Sequence, residues 1–208
     1  MMKFTFSDYD RIRDAMLKLI PAIVATIPKT LVREEFAKIS SRADSMQAQV
    51  LVLDSLVYAH LQNGKNRAGL FLSRQGRQQS AFEQELLLRM SEAQFRLLRL
   101  HSSDETGGIS VTDLIDGRDY ILRDRVLVTK LQDYQTDILL ATQCLDCDDF
   151  IIGTGGALQL PEAMLEVAPV AELVAKIRAN SSESARRESL AELSRLSLAI
   201  WRLARNKS

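Results

Sequence analysis

The spacing of apolar residues changes period twice along this 208-residue chain, and that double change restricts the fold more than any other feature. Up to about Phe95 apolar side chains return every third or fourth position, as on one face of a helix. From there to about Leu160 they alternate or run in short β-branched blocks, and beyond Leu160 the helical spacing returns. The pattern predicts an α+β protein: a helical region over 1–94, a small antiparallel β-barrel or curled sheet over 95–160, and C-terminal helices over 161–208 packing on the rest.

Within the first region Ile12, Met16, Leu19, Ile23 and Ile27 line one face, with Ser7 and Asp10 at a helix start. Pro21 is expected to kink or split this helix, because it lacks a backbone donor and clashes with the preceding turn. Val50, Leu53, Val57 and Leu61 make a second stripe, stopped by Asn63-Gly64. A helical turn follows over Ala68 to Ser73, and Ser80 with Glu83 has the spacing of a capping box opening the helix of Phe82, Leu86 and Met90. The strand-like blocks are FRLLRLH, GISVTDLIDG, RDYILRDRVLV, DILLATQCL and DDFIIG, with Asp116-Gly117 as the clearest hairpin turn. SH3-like and OB-like arrangements both accommodate five such strands. Past Leu160, Pro161 suits a first helical position, Val170, Val174 and Ile177 share a face that Pro169 is expected to bend, and Leu190, Leu193, Leu196 and Ile200 mark a last helix.

Lys plus Arg and Asp plus Glu both number 27, so the whole-chain field gives no general pull toward nucleic acid or an anionic bilayer. Charged residues from Asp8 to Lys18 interrupt the apolar run a signal peptide needs, and no apolar stretch nears the ~20 residues that span a bilayer. Two cysteines three apart, Cys144 and Cys147, fit a reducing compartment. The expectation is a cytoplasmic protein.

The order of features over residues 51–160, carried by LVLDSLVYAHLQNG, FEQELLLRMSEAQFRLLRL, GISVTDLIDGRDYILRDR and TDILLATQCLDCDDFIIGTGGALQLP, resembles a group of uncharacterised bacterial proteins. The segment Ser110 to Gly117 is the most similar part. Members of that group often carry a zinc motif like that of the SecA carboxy-terminus, and this sequence lacks it. The resemblance implies the layout of helices leading into a small β module and implies no activity.

The reactive side chains form no recognised catalytic motif: His60 and His101 lie outside any G-x-S-x-G or H-E-x-x-H pattern, and no cofactor fingerprint is present. Cys144-Leu145-Asp146-Cys147 has C-x-x-C spacing without a second ligand pair; a buried thiol is the leading reading, with a zinc site shared across a homodimer or a redox switch as alternatives. Gly153-Thr154-Gly155-Gly156 lacks the lysine of a phosphate loop and reads as a strand exit. Between Asp54 and Glu83 there is no acid, while Lys65, Arg67, Arg74 and Arg77 are present; with Arg96 and Arg99 they make the candidate polyanion surface. Trp201 is the candidate anchor for a partner or a second copy of the chain, or else a core residue. These features favour a non-enzymatic protein-interaction or adaptor module, homo-oligomeric or with another protein. A nucleic-acid-binding module using loop 65–77 and the β segment is the alternative.

Overall fold

In the computed structural model, which describes residues 2–38, 46–103, 105, 107–130 and 138–205, the change of period near Phe95 becomes a change from helix to strand. The helices before it are α1 (Tyr9–Val24), α2 (Lys29–Lys38), α3 (Met46–Asp54), α4 (Arg67–Gln75) and α5 (Ala81–Ser91). A 3₁₀ turn, Phe6–Asp8, leads into α1, and its box is built by Thr5 and Asp8 rather than Ser7 and Asp10: Thr5 N–H donates to Asp8 Oδ2 at 2.9 Å. Pro21 does not split α1, which runs through it and ends one turn later at Val24. The capping box of α5 forms as the spacing predicts, with Ser80 N–H donating to Glu83 Oε2 at 2.9 Å and Glu83 N–H to Ser80 Oγ at 3.3 Å.

The stripe predicted on α3 is displaced. A π-helical turn, Ser55–Ala59, follows Asp54, and the wider turn rotates every later side chain. Leu51, Val52 and the whole of Leu56–Ala59 are buried. Asn63 and Gly64 then reverse the chain with positive φ values of 53° and 73°.

The strands are β1 (Gln94–Ser103), β2 (Gly108–Asp113), β3 (Asp119–Arg123), β4 (Ile138–Asp146) and β5 (Ile151–Pro161), with α6 (Arg125–Lys130) between β3 and β4. The predicted block RDYILRDRVLV is therefore half strand and half helix. Asp124 causes the switch: its Oδ1 accepts the Leu127 N–H at 3.0 Å, capping the new helix. Gly117, at φ 74°, makes the predicted β2–β3 turn. The glycines 153, 155 and 156 are interior to β5 rather than at its exit. α7 (Ala168–Ala179) and α8 (Glu183–Arg205) complete the chain; Pro161 ends β5, and Pro169 sits in the first turn of α7, where no donor is lost.

The strands close in a ring in the order β1-β2-β3-β5-β4. Four junctions are antiparallel and one, β3 with β5 at Leu122↔Ile151, is parallel. The sheet is thus mixed rather than antiparallel throughout, and necessarily so, because an odd number of strands cannot alternate direction all the way round a closed ring.

Alternation along β1 divides the core. Leu98 joins Ile109, Val111, Leu122, Leu140 and Cys144 inside the ring, where Leu127 of α6 adds to the packing. Phe95 and Leu97 face outward against Val170, Ile177, Leu190 and Trp201 of α7 and α8. A further cluster joins α1, α4 and α5 to Leu145, Phe150 and Ile152 around the β4–β5 hairpin. Among the described residues no single helix is long and apolar enough to cross a membrane.

Candidate binding site at the mouth of the ring

One end of the ring is where β1 and β3 begin and β2 and β4 end. A cavity of about 530 Å³ opens there, within the size range of ligand pockets. Gln94 and Arg96 of β1, Tyr120 of β3 and Asp146 of β4 supply its sheet side, the Asp116–Arg118 turn a second side, and Ile177, Arg178 and Arg186 of α7 and α8 the third.

Arg96 is set deep in the mouth, 5% exposed. Its guanidinium donates to Asp113 Oδ2 at 2.8 Å and Asp116 Oδ2 at 3.4 Å, and it lies over the Tyr120 ring at 4.2 Å from the centroid. Tyr120 donates its hydroxyl to Asp116 Oδ2 at 2.7 Å. Burial raises the Asp113 carboxyl above its ordinary value, opposed by the Ile115 N–H and by Arg96. This inner layer sets one guanidinium against two carboxylates.

The outer layer is basic, with Arg118, Arg178 and Arg186. Arg178 donates through Nε to Ile115 O at 3.1 Å and through Nη2 to Leu114 O at 2.6 Å, so its partners are carbonyls. No carboxylate among the described residues lies within ion-pair distance of Arg118, Arg178 or Arg186. The wall carries four arginines against Asp116 and Asp146. An always-charged, planar donor of this kind recognises carboxylate or phosphate and does not exchange protons near neutrality.

The residues expected to form one basic surface are distributed over three places. Lys65, Arg74 and Arg77 are exposed on and beside α4, where Lys65 Nζ donates to Ser73 Oγ at 3.2 Å. Arg67 is half-buried and donates to Gln62 Oε1 at 3.1 Å. Arg99 pairs with Glu162, and Arg96 is the buried arginine of the mouth, so neither extends the α4 cluster. Trp201 is 8% exposed and packs with the outward face of the sheet, which makes it a core side chain. Cys144 and Cys147 fall into different apolar clusters, one inside the ring and one against the N-terminal helices, and burial pushes both thiols up to about 12.

Asp54 is a buried acid away from the mouth. It is buried where α3 meets β5, accepting from Thr154 Oγ1 at 2.5 Å and Gly156 N–H at 2.9 Å. Burial pushes its carboxyl up to about 6, with the two hydrogen bonds and Arg13 pulling the other way. Gly156 is explained here: a Cβ on it would stand 2.7 Å from Asp54 Oδ2. The sequence signal was present, a single acid inside the apolar run LVLDSLVYA.

No family model, curated protein or solved structure matches this chain.

Proposed function

We propose that the chain is a non-enzymatic protein-interaction module whose partner presents an acidic segment to the mouth of the ring. The observation that carries this reading is the outer layer of the cavity, where Arg118, Arg178 and Arg186 stand without carboxylate partners among the described residues. The acids of the inner layer are already engaged by Arg96 and Tyr120, which suits recognition rather than acid–base chemistry.

Fluorescence anisotropy of a labelled peptide rich in Asp and Glu tests it, with a labelled single-stranded oligonucleotide alongside. The expected result is salt-sensitive peptide binding weakened by Arg118→Ala and unaffected by the double change Arg74→Ala, Arg77→Ala. Absence of peptide binding at low salt overturns the reading. Tighter oligonucleotide binding that depends on Arg74 and Arg77 would replace it with the nucleic-acid alternative.

A further inference from the structure

The β2–β3 turn that carries Arg118 satisfies its N–H groups from within the β segment. Asp113 N–H donates to Arg118 O at 2.9 Å, Leu114 N–H to Leu97 O at 2.8 Å and Gly117 N–H to Asp113 O at 2.8 Å. Ile115 N–H is taken by Asp113 Oδ1 and Arg118 N–H by Asp116 Oδ1, both at 2.9 Å. The Leu114 and Ile115 carbonyls are left over, and no backbone N–H among the described residues takes them. Both accept instead from Arg178 in the last turn of α7, Leu114 O from Nη2 at 2.6 Å and Ile115 O from Nε at 3.1 Å. The Ile115 side chain is buried in the cluster that holds Val174 and Ile177 of the same helix. Arg96 therefore fastens the turn from inside the ring, through Asp113 and Asp116, and α7 fastens it from outside.

This geometry divides the work among the outer arginines. Nε and Nη2 form the side of a guanidinium that takes two acceptors at once, and in Arg178 that side is spent on the two carbonyls. Arg118 is exposed on the turn so held and lines the cavity. We infer that Arg178 is a positioning residue, whose fork on the Leu114 and Ile115 carbonyls holds the β2–β3 turn so that Arg118 is presented to the acidic partner. This role rests on the mouth being the recognition face. A slack turn weakens binding because the partner must then order it. Lysine keeps the charge of Arg178 but not its planar fork, so it does not replace the clamp.

The test uses the labelled acidic peptide and the ¹⁵N-labelled full chain. Arg178→Lys is expected to bind peptide about tenfold more weakly than wild type, and to add nothing to the loss in Arg118→Ala when the two are combined. Without peptide, its Gly117 and Arg118 backbone amides should exchange with solvent several-fold faster, while the amides of β4 and β5 stay unchanged. In the wild type, peptide should move the Arg118 Nε–H signal and leave that of Arg178 in place. Wild-type affinity in Arg178→Lys, additive losses in the double variant, or movement of the Arg178 Nε–H signal overturns the inference while the recognition reading stands. No peptide binding to the wild type overturns the reading and the inference with it. Should Arg178→Lys fail to fold, the wild-type Nε–H titration decides alone.

Discussion

Asp54→Asn should flatten the pH dependence of stability above pH 5. The Asp54 carboxyl moves from an ordinary 3.8 to about 6 because burial between α3 and β5 disfavours its charge. Between those two values the folded state holds a proton that the unfolded state has released, so stability falls as pH rises and levels off above about 6. The interval of about 2 units corresponds to about 3 kcal/mol in total, and roughly half of that, about 1.4 kcal/mol, falls between pH 5 and pH 7.5. Asparagine still offers Thr154 and Gly156 a carbonyl acceptor while carrying no charge, so its own cost is the same at every pH. Urea unfolding of both proteins at the two pH values gives a double difference from which other titrating groups cancel. The wild type should lose about 1.4 kcal/mol more than the variant. Equal losses would refute the argument that this carboxyl is protonated in the folded chain at mildly acid pH.

Gly156→Ala should cost about 1–3 kcal/mol, since its Cβ meets Asp54 Oδ2 at 2.7 Å with Asp54 Cγ behind at 3.1 Å; a neutral thermal shift would contradict the packing. Arg89→Met should cost about 3 kcal/mol in urea unfolding, because Arg89 bonds Glu85, both Asp148 carboxylate oxygens and the Met2 and Asp146 carbonyls from a buried position, and its loss leaves acids unpaired. A thiol reagent at pH 8 should modify Cys144 and Cys147 only as fast as the protein opens, both being buried thiols pushed up to about 12; immediate labelling of either would contradict that placement.

Local chemistry was readable from the sequence, and convergence was not. The β segment begins at Gln94 and ends at Pro161, where the apolar period changes, and the Ser80–Glu83 box and the Gly117 turn depend on neighbours a few residues apart. Asp124 was readable too, as a cap inside a strand-like block, but the β-branched run around it masked the signal. The π turn after Asp54 was not, because it packs against α1, α4 and α8, contacts that no local pattern records. Arg118, Arg178 and Arg186 come from a hairpin turn and two separate helices, so nothing in their spacing announces that they share a cavity. Lys65, Arg67, Arg74 and Arg77 are close together in the sequence and so legible as a cluster, whereas a site assembled by ring closure leaves no local trace.

The parallel seam between β3 and β5 sets where this chain is exposed to its own copies. A closed sheet has no terminal strand to offer a stranger, but only for as long as its shortest junction holds, and here that junction is registered at Leu122↔Ile151 alone. Parting at that single stitch would uncover two raw borders at once, one on each side. The sheet's protection against sideways pairing with another copy is thus thinnest at this seam.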